Sequence, residues 1–500
     1  MKIVPSIVNW YFKQRYKKIE QHYLDPLMLQ QKTLHSLMKK GKNTTYGEKY
    51  NFSGVKTYEQ FLNYCPSNTY QTLHPYINKI IAGEKNLLWP SKINWFAKSS
   101  GTTSGKSKFI PVSYEALEDC HFKGGRDVMS FYCNQQQQTP IFEGKGLTVG
   151  GSNSISTLNN KMNIGDVSAV MIENMPFIGQ LFNTPDKEIA LLDNWELKIE
   201  KMAAATSQEN VTMLIGVPSW TLVLLNKILQ LNKTEHITDV WPNLELFIHG
   251  GVSFVPYKNQ FNPLFGNSKI NYLETYNASE GFFAIQDNPA ENDMLLMLDY
   301  GIFYEFYDEE NDKYVWLDEV KLHKKYTMVI STNAGLWRYK IGDTVSFTNL
   351  NPFKIKILGR DVQYINIVGE ELIVANSDAA VAKACEKTNA TLKEYSVAPI
   401  FMKNKKSGGH EWIIEFEQEP KDFDKFCHYL DEELKNANTD YAAKRFNNMV
   451  LNKPKIHKAP KNLFYNWLKK SGKLGGQHKV PRLSNNREHL EAILQIMNAL

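Results

Sequence analysis

The segment Lys98-Ser99-Ser100-Gly101-Thr102-Thr103-Ser104-Gly105-Lys106-Ser107-Lys108 is the stretch of this 500-residue chain best suited to chemistry. Its small residues free backbone N–H groups to approach a ligand, and the Ser and Thr hydroxyls add donors, which suits phosphate oxygens. A P-loop needs G-x4-G-K-[ST] leading into a helix. Here Gly101 and Gly105 are separated by three residues, and Phe109-Ile110-Pro111-Val112 reads as a strand in which Pro111 breaks any helix opening at Lys106. The segment is predicted to grip phosphate outside the P-loop class.

Two further segments match it in kind. Tyr272-Leu273-Glu274-Thr275-Tyr276-Asn277-Ala278-Ser279-Glu280-Gly281 has strand character and then a small-residue turn. A carboxylate at Glu280 suits a Mg²⁺ ion bridging phosphate oxygens, and the Tyr276 ring suits stacking on a base. Leu336-Trp337-Arg338-Tyr339-Lys340-Ile341-Gly342-Asp343-Thr344-Val345 offers Asp343 as acceptor for both hydroxyls of a ribose. Taken alone, each is equally an ordinary turn. His249-Gly250-Gly251 reads as a βα turn packed tightly through its glycines.

These loops need rigid elements to hold them. Residues 1–63 read as helical, with Leu24, Leu27, Leu34 and Leu37 as the apolar positions and Gly41 as a stop. Thr212–Val217 and Leu244–His249 read as buried strands, with a helix opening at Pro218 between them. Strand, helix, strand with Gly at the strand ends predicts βαβ units and a mainly parallel sheet. Asp308–Asp312 is a solvated hairpin tip between aromatic-rich strands. Beyond about residue 360 the pattern resets to a compact α+β unit: a helix around Ala379–Cys385, strands Tyr395–Met402 and Glu411–Glu417, and a helix lined by Phe423, Phe426, Leu430 and Leu434.

Composition bounds the partners. Hydrophobic residues make up 42% and charged residues 22% of the chain, ordinary globular usage that excludes disorder and fibrous repeats. A formal charge of +5 spread over the chain is too weak and too dispersed for nucleic acid or an anionic membrane. Five cysteines (Cys65, Cys120, Cys133, Cys385 and Cys427) show no CxxC pair, so neither a zinc site nor a disulfide framework is expected, and a reducing cytoplasm fits. No signal-peptide h-region and no run of 18 apolar residues is present. Only seven of the 58 basic residues are Arg, which makes each worth inspecting.

In this order and spacing the segments resemble the adenylate-forming (ANL) enzymes, and among them the GH3 family of acyl acid–amido synthetases. Ser99-Ser100-Gly101-Thr102-Thr103-Ser104-Gly105 is similar to that family's phosphate loop, Tyr276-Asn277-Ala278-Ser279-Glu280-Gly281 to its Tyr-to-Glu motif, and Trp337-Arg338-Tyr339-Lys340-Ile341-Gly342-Asp343 to its aromatic-Arg-aromatic-x-x-Gly-Asp motif. Leu358-Gly359-Arg360-Asp361 resembles the inter-domain hinge, and Gly475-Gly476-Gln477-His478-Lys479-Val480-Pro481-Arg482 the closing Lys-x-Pro-Arg signature. The likeness is to a shorter, bacterial-type member. Gly369-Glu370-Glu371 stands where many relatives carry Gly-Glu-Lys, a departure on the acceptor side.

The resemblance implies an α/β fold: a large adenylate-forming domain with mixed and parallel sheets over 1–358, a hinge at 359–361, and a smaller mobile α+β cap over 362–500. It implies a ligase that adenylates a carboxylic acid with ATP and Mg²⁺ and passes the acyl group to an amine, an amino acid by preference. Ser99 to Lys106, Gly250, Gly251, Thr275 to Ser279, Asp343 and Arg360 would bind the nucleotide; Glu280 would hold the metal, and Lys479 would be delivered to the phosphates by the cap. Tyr114, Phe122 and Arg126 are the acyl-side candidates. The partners implied are small molecules, with a monomer as the working unit. A thiol acceptor such as coenzyme A, or a silent nucleotide-binding homologue, are the competing readings.

Overall fold

The computed structural model describes residues 3–99, 108–136, 138–150, 156–158, 162–251, 254, 261–266, 268–360, 364–402, 407–446, 450–471 and 480–499. The chain opens with helices α1 (Ile3–His22), α2 (Pro26–Gly41), α3 (Thr45–Lys49), α4 (Tyr58–Tyr64) and α5 (Tyr70–Ile81). The Met28 N–H donates to the Asp25 side chain at 3.1 Å, and Pro26 takes the first helical position, where a missing N–H costs nothing. Leu34 and Leu37 are buried and α2 stops at Gly41, but Leu24 sits between α1 and α2 and is 84% exposed. A residue outside the helix has no helical face to follow.

Strands β1 (Trp95–Ser99) and β2 (Lys108–Val112) pair antiparallel, with Ser99 opposite Lys108. The Ser/Thr/Gly segment therefore joins two antiparallel strands, and the next helix begins only at Tyr114. Residues 114–135 form one helical run interrupted by a π-turn at Leu117–His121, and its last part is α6 (Phe122–Gln135). The chain then lays down β3 (Lys145–Val149), β4 (Met162–Gly165), α7 (Val167–Glu173) and α8 (Trp195–Thr206). β4 pairs parallel with β1, Gly165 opposite Ala97, which sets Asp166 beside the start of the phosphate-loop segment.

β5 (Val211–Gly216), α9 (Pro218–Asn232) and β6 (Leu246–Gly250) form the βαβ unit read from the sequence, and β7 (Asn271–Ala278) follows. β3, β5, β6 and β7 are parallel neighbours, joined at one edge by the short strand Asn183–Thr184. The same twelve-stranded sheet continues antiparallel through β8 (Gly281–Ile285), β9 (Tyr339–Leu350) and β10 (Phe353–Arg360), with further strands at Met294–Leu296, Ile302–Asp308, Lys313–Val315 and Lys325–Thr332. A mainly parallel sheet is thus correct for five strands only. After β7, several neighbours are joined by tight turns, which permit antiparallel pairing alone.

The remainder holds α10 (Val374–Thr388), β11 (Thr391–Ile400), β12 (Gly409–Gln418), α11 (Phe423–Ala437), α12 (Thr439–Arg445), β13 (Lys455–Lys458), α13 (Leu463–Lys470) and α14 (Glu488–Met497). Alternate residues of β12 face opposite layers, as the period of two requires. Trp412 and Ile414 join the core with Val381 of α10 and Leu430 of α11, whereas Ile413 packs with Trp467 of α13 and Leu490 of α14. The first of these cores is continuous with Leu147, Leu214, Leu225 and Phe247 of the parallel strands and α9.

Candidate active site

Ligands of open α/β sheets bind beyond the carboxyl ends of the parallel strands. At that edge β6 ends in Gly250, whose register partner on β7 is Thr275. A Cβ on Gly250 would lie 2.4 Å from the Thr275 carbonyl oxygen, so the close approach of the two strands requires glycine here. Gly251 follows with φ +80°, a conformation side chains resist. The packing role of this pair is thus explicit. Thr275 is buried, and its hydroxyl donates to the His249 carbonyl at 3.2 Å.

Tyr276 and Asp343 lie 67 residues apart in sequence, and the Tyr276 hydroxyl donates to Asp343 Oδ2 at 2.6 Å. Both are nearly buried, and the Tyr276 ring lies 4.9 Å from that of Phe283. What the residue visibly contributes is a donor that orients Asp343, rather than a ring laid open for a base. Asp343 on β9 pairs in register with Arg360, the last residue of β10, so the ribose candidate and the hinge candidate share one rung of the ladder. Asn277 and Ala278 end β7, Ser279 and Glu280 make the turn into β8, and all four are half-buried. Glu280, the proposed metal ligand, is thus placed at the same strand edge.

Arg338 plays a different part from its motif neighbours. Its guanidinium is buried on Glu305 (Nε to Oε1 3.0 Å and to Oε2 3.1 Å) and donates to the Cys65 carbonyl at 2.7 Å. Trp337 Nε1 donates to the Leu88 carbonyl at 3.0 Å, and the Asn68 N–H to the Arg338 carbonyl at 2.8 Å. The front of that motif therefore ties the N-terminal helices to the sheet, and only its end, Asp343, belongs to the site.

Ser99 is half-buried at the end of β1; Ser100 to Lys106 and Lys479 lie outside the described residues. On the acyl side Phe122 packs against the large core, but Tyr114 is 70% exposed. Arg126 is exposed and bends back to Glu118, Nη2 to the carbonyl oxygen at 3.2 Å and Nη1 to Oε2 at 3.9 Å. Elsewhere, Asp287, Glu291 and Asp293 are grouped as metal ligands can be, but the Lys354 ammonium reaches all three, at 3.0, 2.7 and 3.9 Å.

A charged cluster that no sequence spacing announces lies beside the same edge. Its members come from separate elements: Asp166 at the cap of α7, Lys198 on α8, Glu370 and Glu371 after β10, and Asp440 and Lys444 on α12. Burial pushes the Lys444 amine down to about 8 against the opposing pull of Asp440, Asp166 and Glu370. It pushes Lys198 down to about 8 as well, with Asp166 opposing and Lys444 reinforcing. Burial raises the Asp440 carboxyl, with Lys444 and Lys98 pulling it back. Glu370 is itself fully buried, accepting from the Ile367 and Val368 N–H groups and lying 2.9 Å from His410 Nε2.

A large mixed sheet with glycines and carboxylates at its parallel strand ends, followed by a smaller α+β unit, is the architecture of adenylate-forming enzymes. Solved structures share this fold. GH3.15 acyl acid amido synthetase matches with a TM-score of 0.61 at 18% identity, covering 97% of this chain and 96% of its own. A 2-hydroxyisobutyryl-CoA ligase bound to its acyl-adenylate and CoA matches with a TM-score of 0.58 at 13% identity, covering 94% and 92%. The models of the GH3 family N-terminal, central and C-terminal domains match residues 15–270, 295–360 and 375–488. The chain belongs to the GH3 family. Among its relatives is the indole-3-acetic acid-amido synthetase GH3.4 of Arabidopsis thaliana, 23% identical over 461 residues, or 77% of this chain and 74% of that protein.

Proposed function

We propose that this chain is an ATP-dependent acyl acid–amido synthetase. A carboxylate oxygen of the acid attacks the α-phosphorus of ATP, the bond to pyrophosphate breaks, and an acyl-adenylate forms. An amine, in our reading that of an amino acid, then attacks the acyl carbon; AMP leaves and the amine loses a proton. The observation that carries the reading is the Tyr276–Asp343 hydrogen bond, which brings together at the strand ends two motifs remote in sequence, where this reading puts the nucleotide.

Charge builds on the α-phosphate in the transition state, so donors must be in place before reaction. In this reading Ser99 to Gly105 supply amides and hydroxyls, and Asp343, oriented by Tyr276, accepts from the ribose hydroxyls. Gly250 and Gly251 let the backbone come close to the base. Lys479 brings a point charge from the C-terminal domain, and Arg360 marks the joint at 359–361 about which that domain turns. Glu280, a carboxylate at the strand edge, fits a hard cation; Mg²⁺ held there would neutralise phosphate charge. Of the acyl-side residues, Phe122 offers an apolar surface as placed. Arg126 must leave Glu118 before it can meet a substrate carboxylate. All of these contacts come from one chain, so a monomer suffices, and five unpaired cysteines favour a reducing cytoplasm.

The test is acid-dependent ATP–pyrophosphate exchange across a panel of carboxylic acids, followed by mass spectrometry of products formed with amino acids and with coenzyme A. Exchange plus an amide product is expected. A thioester as the sole product would move the acceptor assignment to a thiol, and no exchange with any acid would leave a nucleotide-binding homologue without catalysis.

A further inference from the structure

Trp220 lies in the first turn of α9, in the part of the chain that carries the nucleotide motifs. Its ring is clasped from across the 359–361 boundary. The indole Nε1 donates to the Val368 carbonyl at 3.1 Å, and the Lys444 ammonium stands 3.9 Å over the ring. Gly369 closes the clasp: a Cβ there would sit 3.5 Å from the indole and 3.7 Å from the Lys444 side chain. Lys444 is only 6% exposed. It faces Asp440 on its own helix, Glu370 in the bend between the short strands Tyr364–Ile365 and Leu372–Ile373, and Asp166 and Lys198 from the other side. A buried ammonium held over an indole face, with Asp440, Asp166 and Glu370 favouring its charge, is an orientation-specific contact.

Val480, the described residue next to Lys479, packs in a different layer from the clasp, while Arg482 two residues on reaches Asp378 of α10. Residues 365–372, α10 and α11 share one core with the parallel strands. Val480, next in sequence to Lys479, packs on the opposite face of β11–β12, with Ala398 and Ile413. The clasp thus presents to the nucleotide-bearing half a face other than the one on which Val480 packs.

We propose that Trp220 and Lys444 are positioning residues for the second half-reaction, holding the C-terminal domain in the orientation used once adenylation is complete. This rests on the two-step ligase reading. It predicts that the two half-reactions respond differently to loss of the clasp, which damage to the fold would not produce.

The full-length protein, with W220A, W220F, K444M and K444R variants, would be assayed for ATP–pyrophosphate exchange and, in single turnover, for discharge of the preformed acyl-adenylate by the acceptor the wild type uses. W220A and K444M should leave exchange within about twofold of wild type, or raise it, while slowing discharge about tenfold. K444R, still charged, should restore most of the discharge rate, and W220F, which keeps the ring but loses the Nε1–H donor, should fall between. Discharge by wild type, corrected for ionisation of the acceptor, should fall as pH rises through about 8, where Lys444 loses its charge, and K444R should not show that fall. Parallel loss of both half-reactions, or unchanged discharge in K444M, would overturn the proposal. A wild type with no exchange would instead remove the ligase reading itself, and this proposal with it.

Discussion

Replacing Tyr276 by Phe removes one hydroxyl and leaves the ring against Phe283, so the consequence can be traced to a single bond. That bond, 2.6 Å to Asp343 Oδ2, is a charge-assisted one in a nearly buried setting. Hydrogen bonds to charged groups contribute about 1.5–3 kcal/mol net. Part of that is recovered if water replaces the hydroxyl, so the lower end is the reasonable figure for orientation of the carboxylate. At about 1.4 kcal/mol per decade, Tyr276→Phe should weaken AMP and ATP binding about tenfold. Isothermal titration calorimetry would read this directly, with thermal unfolding alongside to show that the fold survives. The decisive comparison is a double-mutant cycle with Asp343→Ala. If Tyr276 acts through Asp343, adding Tyr276→Phe to Asp343→Ala should change affinity less than about twofold. Full additivity would refute the argument and assign the Tyr276 hydroxyl a contact with the nucleotide that does not run through Asp343.

Three other outcomes follow from the same geometry. Arg338→Met should destabilise the protein by about 3–5 kcal/mol in urea unfolding, because Glu305 is left as a buried unpaired charge, and Arg338→Met with Glu305→Leu should recover much of the loss. Gly250→Ala should cost about 1–3 kcal/mol of stability and weaken nucleotide binding, since the methyl group meets the Thr275 carbonyl and pushes β6 from β7; unaltered affinity would show that the strand edge does not shape the site. Burial pushes the Glu411 carboxyl up, but hydrogen bonds from Lys455, His457 and Arg487 outweigh it and bring it down to about 2. A carboxyl held low in the folded state contributes stability that is complete above its unfolded value near 4.5 and lost as pH falls toward 2. Glu411→Gln should therefore be less stable than wild type at neutral pH and converge with it in that acid range, as denaturation curves at a series of pH values would show.

The βαβ unit was open to sequence reading because each of its parts is locally specified. Thr212–Val217 is a short apolar run, Pro218 fixes the first turn of α9, and Gly250 ends the next strand. The rejection of a P-loop rested on Pro111 and is matched by the antiparallel pairing of β1 with β2. Partners across long separations were not legible. Nothing local to Trp337-Arg338-Tyr339 tells that the guanidinium meets Glu305 on another strand, since a buried pair needs only that topology bring it together. The cluster of Asp166, Lys198, Asp440 and Lys444 is hidden for the same reason, each residue being one more charge on an amphipathic element until the two parts of the chain dock. Leu24 shows the converse error, where an apolar residue at roughly the right spacing lies past the end of its helix.

Under the proposed function, the pairing of Ser99 with Lys108 has a consequence for how triphosphate would be met. A strand-to-helix loop lends its ligand the half-charge of a helix N-terminus, permanently in place. A loop joining antiparallel strands has no such endowment, so in the proposed reaction charge on the phosphates would have to be met by side-chain cations, Lys106 of the loop and Lys479 of the C-terminal domain. On that reading pyrophosphate would be let go when Lys479 withdraws, and the same withdrawal would clear the way for the acceptor. Product release and the change of half-reaction would then be a single event, one that ionic strength should tune more strongly than in a helix-anchored site.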